Sequence, residues 1–215
     1  MFTDRVIAIT GAGSGIGRSL ARQFAAAGAK IAIADINPDA LEETAQALDV
    51  NRVLQCRVDV SRHAEVEAFA TAVERQFGSV DYIINNAGTS ILAPFEDLTI
   101  EEIEKVIAVN LWGVIYGTKA FMPIMLRQRS GCIVNVSSVF GLVATPCSAA
   151  YTMSKFAVRG LTETLWMELE GTGVRAVVVH PGGIDTNIKK TPNAQYESDY
   201  TKRVKECAAT TTMAG

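Results

Sequence analysis

The chain has 215 residues, 48% of them hydrophobic and 20% charged, with a formal net charge of −3. That length fits one domain able to bury roughly 70% of its unfolded surface, and the interspersed, slightly acidic charge leaves no basic stripe for nucleic acid. No apolar run reaches the ~18 residues of a membrane span and no leader peptide is expected before the first strand, so a cytoplasmic location with no membrane partner is the expectation.

The first strand is expected at Arg5 to Thr10, and a helix at Arg18 to Gly28. Between them lies Thr10-Gly11-Ala12-Gly13-Ser14-Gly15-Ile16-Gly17, spaced T-G-x-x-x-G-x-G and not G-x-G-x-x-G. At such a strand-to-helix turn the missing Cβ atoms let backbone approach a pyrophosphate, and the free N–H groups of the helix N-terminus bind its charge. A second strand at Lys30 to Asp35 ends on an acid 18 residues after Gly17. There Asp35 can accept hydrogen bonds from ribose hydroxyls and repel a 2′-phosphate. Its competing role, capping the next helix, is better served by Asn37, which precedes Pro38 at the first helical position.

Further short β-branched runs follow at Arg52 to Val58, Val80 to Asn85, Cys132 to Val136 and Val174 to His180. Their alternation with helical patterns predicts βαβ units and a parallel sheet buried on both faces. Asp59 could cap the helix after Ser61. In that third helix Val66, Phe69, Ala70, Val73 and Phe77 form an apolar stripe for the core, and Thr99 with Glu102 makes a capping box for the next. Asn110 is out of place inside the long helical pattern from Thr99 to Met125, since Asn favours caps and turns over helix interiors. Tyr151 and Lys155 are four residues apart, which on a helix puts both side chains on one face. A phenol near neutral pH is a poor acid, and a nearby cation is the means of stabilising its phenolate. Ser138, thirteen residues earlier at a strand end, can reach the same place, with Ser137 as the competing hydroxyl. Cys56, Cys132, Cys147 and Cys207 show no C-x-x-C spacing, and with only His63 and His180 present no metal set is expected.

These motifs, in this order, resemble the short-chain dehydrogenase/reductase family, single-domain branch. The resemblance covers residues 3 to about 190. It rests on Thr10 to Gly17, Asp59-Val60, Asn86-Ala87-Gly88, Asn110, Ser138, Tyr151-x-x-x-Lys155 and Pro181-Gly182 with Thr186. It implies an α/β, doubly wound Rossmann fold of at least six parallel strands with helices on both faces. It also implies a nicotinamide cofactor and hydride transfer at an alcohol or carbonyl. Gly11, Ser14, Gly15, Ile16 and Gly17 would then hold the cofactor pyrophosphate, with Asp35 on the ribose and Asp59 and Val60 at the adenine. Asn86, Ala87 and Gly88 would line the cleft, and Pro181, Gly182, Ile184 and Thr186 the nicotinamide end. Tyr151 would move the proton and Ser138 would hydrogen-bond the substrate oxygen. Lys155 would lower the Tyr151 pKa and bind the nicotinamide ribose, and Asn110 would help hold a water in a proton relay.

Ser14 and Ile36 stand uncharged where the family often carries a basic residue, so NAD is expected over NADP. Segments Ile91 to Ala93 and Val139 to Ala144 carry no charge, which points to a small apolar alcohol or ketone. A non-catalytic dinucleotide sensor is the alternative, though it would not need Tyr151 and Lys155 together. Apolar residues on more than one face of the helices around Leu111 to Met125 and Phe156 to Leu169 predict a homodimer or homotetramer. Residues 1–215 are expected to form a single dinucleotide-binding and catalytic domain that lacks its C-terminal strand. The chain would continue past Gly215 and supply a neighbour for Val174 to Val179, because a strongly hydrophobic strand at a sheet edge leaves backbone groups unpaired.

Overall fold

The computed structural model describes residues 2–183. Expectations that fall on Ile184, Thr186, Cys207 and any strand following them lie outside the described residues. Six parallel strands are present: β1 (Val6–Thr10), β2 (Lys30–Asp35), β3 (Val53–Arg57), β4 (Tyr82–Asn85), β5 (Gly131–Val136) and β6 (Val174–Val179), in the order β3-β2-β1-β4-β5-β6. The helices are α1 (Gly15–Ala26), α2 (Pro38–Ala45), α3 (His63–Phe77), α4 (Ile100–Ile107), α5 (Gly113–Gln128) and α6 (Ala149–Glu168). Strands β1 and β2 are buried on both faces, which is why they read as unbroken apolar runs.

Alternation along the strands sorts the core into two layers. On one face Ala8, Ile83 and Ile133 pack under α3, α5 and α6, where Phe69 and Phe121 meet edge to face at 5.7 Å. On the other, Ile7, Ile9, Ile31 and Ile33 pack against Ala21 of α1 and Leu41 of α2. The predicted helix signals hold: Asn37 Oδ1 accepts the N–H groups of Asp39 and Ala40, and Thr99 and Glu102 complete a capping box.

The chain winds outward from β1 to β3, then returns past β1 to place β4 on its other side. The carboxyl ends of β1 and β4 therefore diverge and open a crevice. The side chains of Thr10 and Asn86 bridge this switch point. Thr10 Oγ1 accepts the N–H groups of Asn86 and Ala87 at 3.0 and 3.1 Å, and Asn86 Nδ2 donates to the carbonyls of Thr10 and Gly11.

Candidate active site

The glycine turn is shaped by two requirements. Gly11 lies at φ 65°, a left-handed conformation that turns the chain out of β1. A Cβ on Gly17 would run into the Gly11 carbonyl, so α1 can approach the strand end only with glycine there. Ser14 is the extended N-cap residue of α1, yet its hydroxyl makes no cap bond and no acid occupies the first turn. The positive end of the helix and its N-terminal N–H groups are thus left for an anion, and the turn fits a pyrophosphate. Beside it, the Asp35 carboxylate accepts the N–H groups of Gly13 at 2.8 Å and Asn37 at 3.0 Å. Ile36 is exposed.

Asp59 is a strand-end turn builder, accepting from the Ser61 N–H at 3.0 Å and the Ser61 hydroxyl at 2.6 Å. Burial raises its pKa, but the Ser61 hydrogen bonds and the charge of Arg62 outweigh that and leave it below its ordinary value. Val60 packs against Gly113, where a Cβ would crowd it.

At the other end of the crevice, the single long helix expected from Thr99 to Met125 is interrupted by a π-helical turn, Ala108–Trp112, between α4 and α5. Asn110 sits inside that turn, fully buried. Its Oδ1 accepts the Thr89 N–H at 2.8 Å, and its Nδ2 donates to the Thr89 carbonyl at 2.9 Å and to Ser154 Oγ at 3.1 Å. Ser154 Oγ in turn donates to the Tyr151 carbonyl at 2.6 Å. The Asn110 side chain is accordingly committed to protein partners, pinning the loop after β4 to α6. A water relay, if it passes here, uses other atoms of this turn.

Tyr151 and Lys155 occupy the first two turns of α6, as their spacing predicts. Lys155 is buried; its Nζ donates to the Val136 carbonyl at 2.8 Å and lies 5.6 Å from the Tyr151 ring centroid. Burial pulls its pKa down to about 8. The two competing serines separate cleanly. Ser137 Oγ donates to the Lys155 carbonyl at 2.9 Å, whereas Ser138 Oγ accepts the Phe140 N–H at 3.2 Å. Burial raises the Tyr151 pKa and the neighbouring Ser138 hydroxyl partly offsets it. The net shift of the phenol is upward, because loss of solvent around the ring dominates. Phe140 lies edge-on to the Tyr151 ring at 6.1 Å, and Leu92, Leu142 and Val143 are exposed on the loops after β4 and β5. The Ala93 N–H donates to the Cys147 carbonyl and ties those loops together.

Three participants escaped the motif reading. Ser154, a small polar residue fully buried in the middle of α6, joins Asn110 to Tyr151. Its signal was a serine at i+3 from Tyr151, beside Lys155 on the buried face of α6. His180, which the motifs leave aside, lies with Nδ1 3.0 Å from the Ser138 carbonyl. Arg18 reaches back over the glycine turn, and only the fold reveals that contact. Pro181 follows β6, where its carbonyl accepts the Val139 N–H at 3.0 Å, and Gly182 is exposed.

A switch-point crevice with a phosphate-ready helix terminus at one end and a serine–tyrosine–lysine cluster at the other defines a dinucleotide-type α/β oxidoreductase site. The chain belongs to the short-chain dehydrogenase family, whose model matches residues 5–197. It is 44% identical over 194 residues to the protein SadH of Mycobacterium tuberculosis, covering 88% of this chain and 70% of SadH. It is 40% identical over 189 residues to a 2-(R)-hydroxypropyl-CoM dehydrogenase of Xanthobacter autotrophicus, covering 85% of this chain and 76% of that protein. Among solved structures, a short-chain dehydrogenase/reductase of Burkholderia phymatum in complex with NAD matches with a TM-score of 0.85 and 37% identity, over 92% of this chain and 73% of its own.

Proposed function

We propose that this protein is an NAD-dependent oxidoreductase acting on a small, apolar secondary alcohol or the corresponding ketone. The observation that carries the reading is the cluster at the crevice: Tyr151 with the Ser138 hydroxyl acting on its phenol and the buried Lys155 Nζ 5.6 Å from its ring. Gly11, Ser14, Gly15, Ile16 and Gly17 would hold the pyrophosphate of the dinucleotide and Asp35 its adenosine ribose. The cleft walls would be Asn86, Ala87, Gly88 and Val60. Pro181 and Gly182 stand at the nicotinamide end, with Ile184 and Thr186 as further candidates. When bound, the cofactor supplies the hydride donor or acceptor.

The chain's own residues handle the proton. Tyr151 gives a proton to the substrate oxygen in reduction and takes it in oxidation, while the Ser138 hydroxyl donates a hydrogen bond that holds this oxygen and steadies developing negative charge. Lys155 places a cation beside the phenol at neutral pH, and its field favours the phenolate once substrate excludes water from the crevice. Asn110 and Ser154 keep α6 at the correct height against the loop after β4. The uncharged walls around Phe140 and Leu142 suit an apolar substrate, and the name of the Xanthobacter relative denotes a secondary alcohol. Asp35 without a basic residue at Ser14 or Ile36 supports NAD over NADP. The same reading takes the protein as a soluble cytoplasmic homodimer or homotetramer, paired through α5 and α6; no helix of the described residues is long and apolar enough to cross a membrane.

A screen of secondary alcohols and ketones with both cofactors tests the reaction. Tyr151→Phe preserves packing volume but removes the transferable proton, so turnover should fall by about 10²- to 10⁴-fold with NADH affinity, read by fluorescence titration, little changed. Retention of most turnover would refute the proton route. NADH binding with no activity on any alcohol or ketone would favour a sensor.

A further inference from the structure

The adenosine end of the crevice holds a charge arrangement that the sequence motifs do not mention. Arg18, in the second turn of α1, folds back over the glycine turn, and its Nε and Nη2 both donate to the Gly13 carbonyl, the former at 3.0 Å. The N–H of that same residue is held by Asp35 Oδ2. Gly13 is therefore gripped from both sides, by an acid on its nitrogen and a base on its oxygen. That puts a guanidinium within one residue's reach of the carboxylate that would meet the ribose. The guanidinium is not at liberty. Glu43, on α2, takes it in a two-point fork, Oε1 to Nη1 at 2.6 Å and Oε2 to Nη2 at 2.9 Å. Arg57, the register neighbour of Asp35 on β3, is likewise paired, with Glu65 at 3.2 Å.

A planar arginine fork binds carboxylate and phosphate with the same geometry, so an acid already seated in it competes directly with a phosphate. Resting on the dinucleotide reading above, we propose that Glu43 is a specificity-determining residue: it occupies Arg18 and so denies a 2′-phosphate the one cation that shares Gly13 with Asp35. Rejection of a 2′-phosphorylated cofactor then has two parts, repulsion by Asp35 and sequestration of Arg18 by Glu43. Removing the first alone leaves the second in place. Glu43 is 62% exposed at its side chain and Arg18 only 21%. The pair accordingly contributes little to stability and can be opened without unfolding the chain.

The test uses adenosine halves, which need no knowledge of the substrate: 2′,5′-ADP as the phosphorylated probe and 5′-ADP as the control, each titrated calorimetrically against Asp35→Asn, Asp35→Asn/Glu43→Gln and the latter with Arg18→Met. The double variant should bind 2′,5′-ADP at least about tenfold more tightly than Asp35→Asn, the scale of one gained charge-assisted contact. Their 5′-ADP affinities should agree within about twofold. Adding Arg18→Met should abolish the gain, and raising the salt should shrink it. Equal 2′,5′-ADP affinity in the single and double variants, with 5′-ADP still bound, would overturn the proposal. So would loss of 5′-ADP binding in the double variant alone, which would make Glu43 a general support of the turn. A parent protein that binds neither 5′-ADP nor NADH would instead overturn the dinucleotide reading itself.

Discussion

At the scale of single residues, Lys155 is the group whose environment departs furthest from water. An ammonium in the interior is costly unless its charge is used, and here it donates to the Val136 carbonyl at 2.8 Å. The cost has a definite pH signature, because the pKa falls from 10.5 to about 8 on burial. Below about pH 8 the lysine is charged in both folded and unfolded chains, and the burial penalty acts in full. As pH rises from about 8 towards 10.5 the folded protein carries the neutral amine while the unfolded chain still binds the proton. Stability contributed at this site therefore increases with pH across that window, by up to about 3 kcal/mol. Lys155→Met removes the titration. Urea unfolding of the parent and the variant should show the parent gaining on the variant between pH 7 and pH 9.5, and a difference independent of pH would show that the lysine is not desolvated as described.

Between elements, a buried polar ladder joins the sheet to the helices that carry the site. Asn85 of β4 and Asn135 of β5 are register partners, and Asn85 Nδ2 donates to Asn135 Oδ1 at 2.9 Å. Asn135 Nδ2 donates onward to Thr162 Oγ1 of α6 at 3.0 Å. Asn85 Oδ1 has no hydrogen-bond partner and faces Gly117 of α5, where a Cβ would collide with it. Helix α5 can lie this close only because residue 117 lacks a side chain. Gly117→Ala should therefore destabilise the protein by about 2 kcal/mol, in the range of overpacked cores, although alanine ordinarily favours helix. Denaturant midpoints check this: an unchanged or raised stability would mean that α5 can retreat freely from β4. The ladder also fixes α6, and with it Tyr151 and Lys155, against the strand end that presents Ser138.

For the whole molecule, the distribution of aromatic residues over α5 and α6 is informative. Phe121 belongs to the core, while Trp112, Phe156 and Trp166 are exposed, Trp166 to 67%. Trp112 stacks on Tyr116 at 5.6 Å, and the His63 ring lies 4.9 Å from Tyr116. Exposed aromatic residues of this size are surface that association would cover. Sedimentation at micromolar concentration should give a dimer or tetramer, and Trp112→Glu with Phe156→Glu should shift it to monomer. A parent that is monomeric under those conditions would count against pairing through this face. Strand β6 is the outermost of the described sheet, with Val177 and Val179 partly exposed on the face opposite α6.

Local pattern alone determined much of this molecule. Strand runs, the glycine turn, the Asn37 and Thr99 caps and the Tyr151–Lys155 spacing each depend on chemistry within a few residues, and each appears where the sequence puts it. Asn110 was legible as a disturbance because its side chain suits neither a helix interior nor an apolar face. Contacts between distant segments were not legible. The engagement of Ser137 by the Lys155 carbonyl and the seat of Ser154 against Asn110 follow from which groups the tertiary fold brings within 3 Å or so. The upward shift of the phenol has the same origin, since desolvation is a property of the surroundings and not of the tyrosine. Spacing named the candidate reacting groups, and only the folding of β1 beside β4 and of α1 over its own turn decided what surrounds them and at what charge.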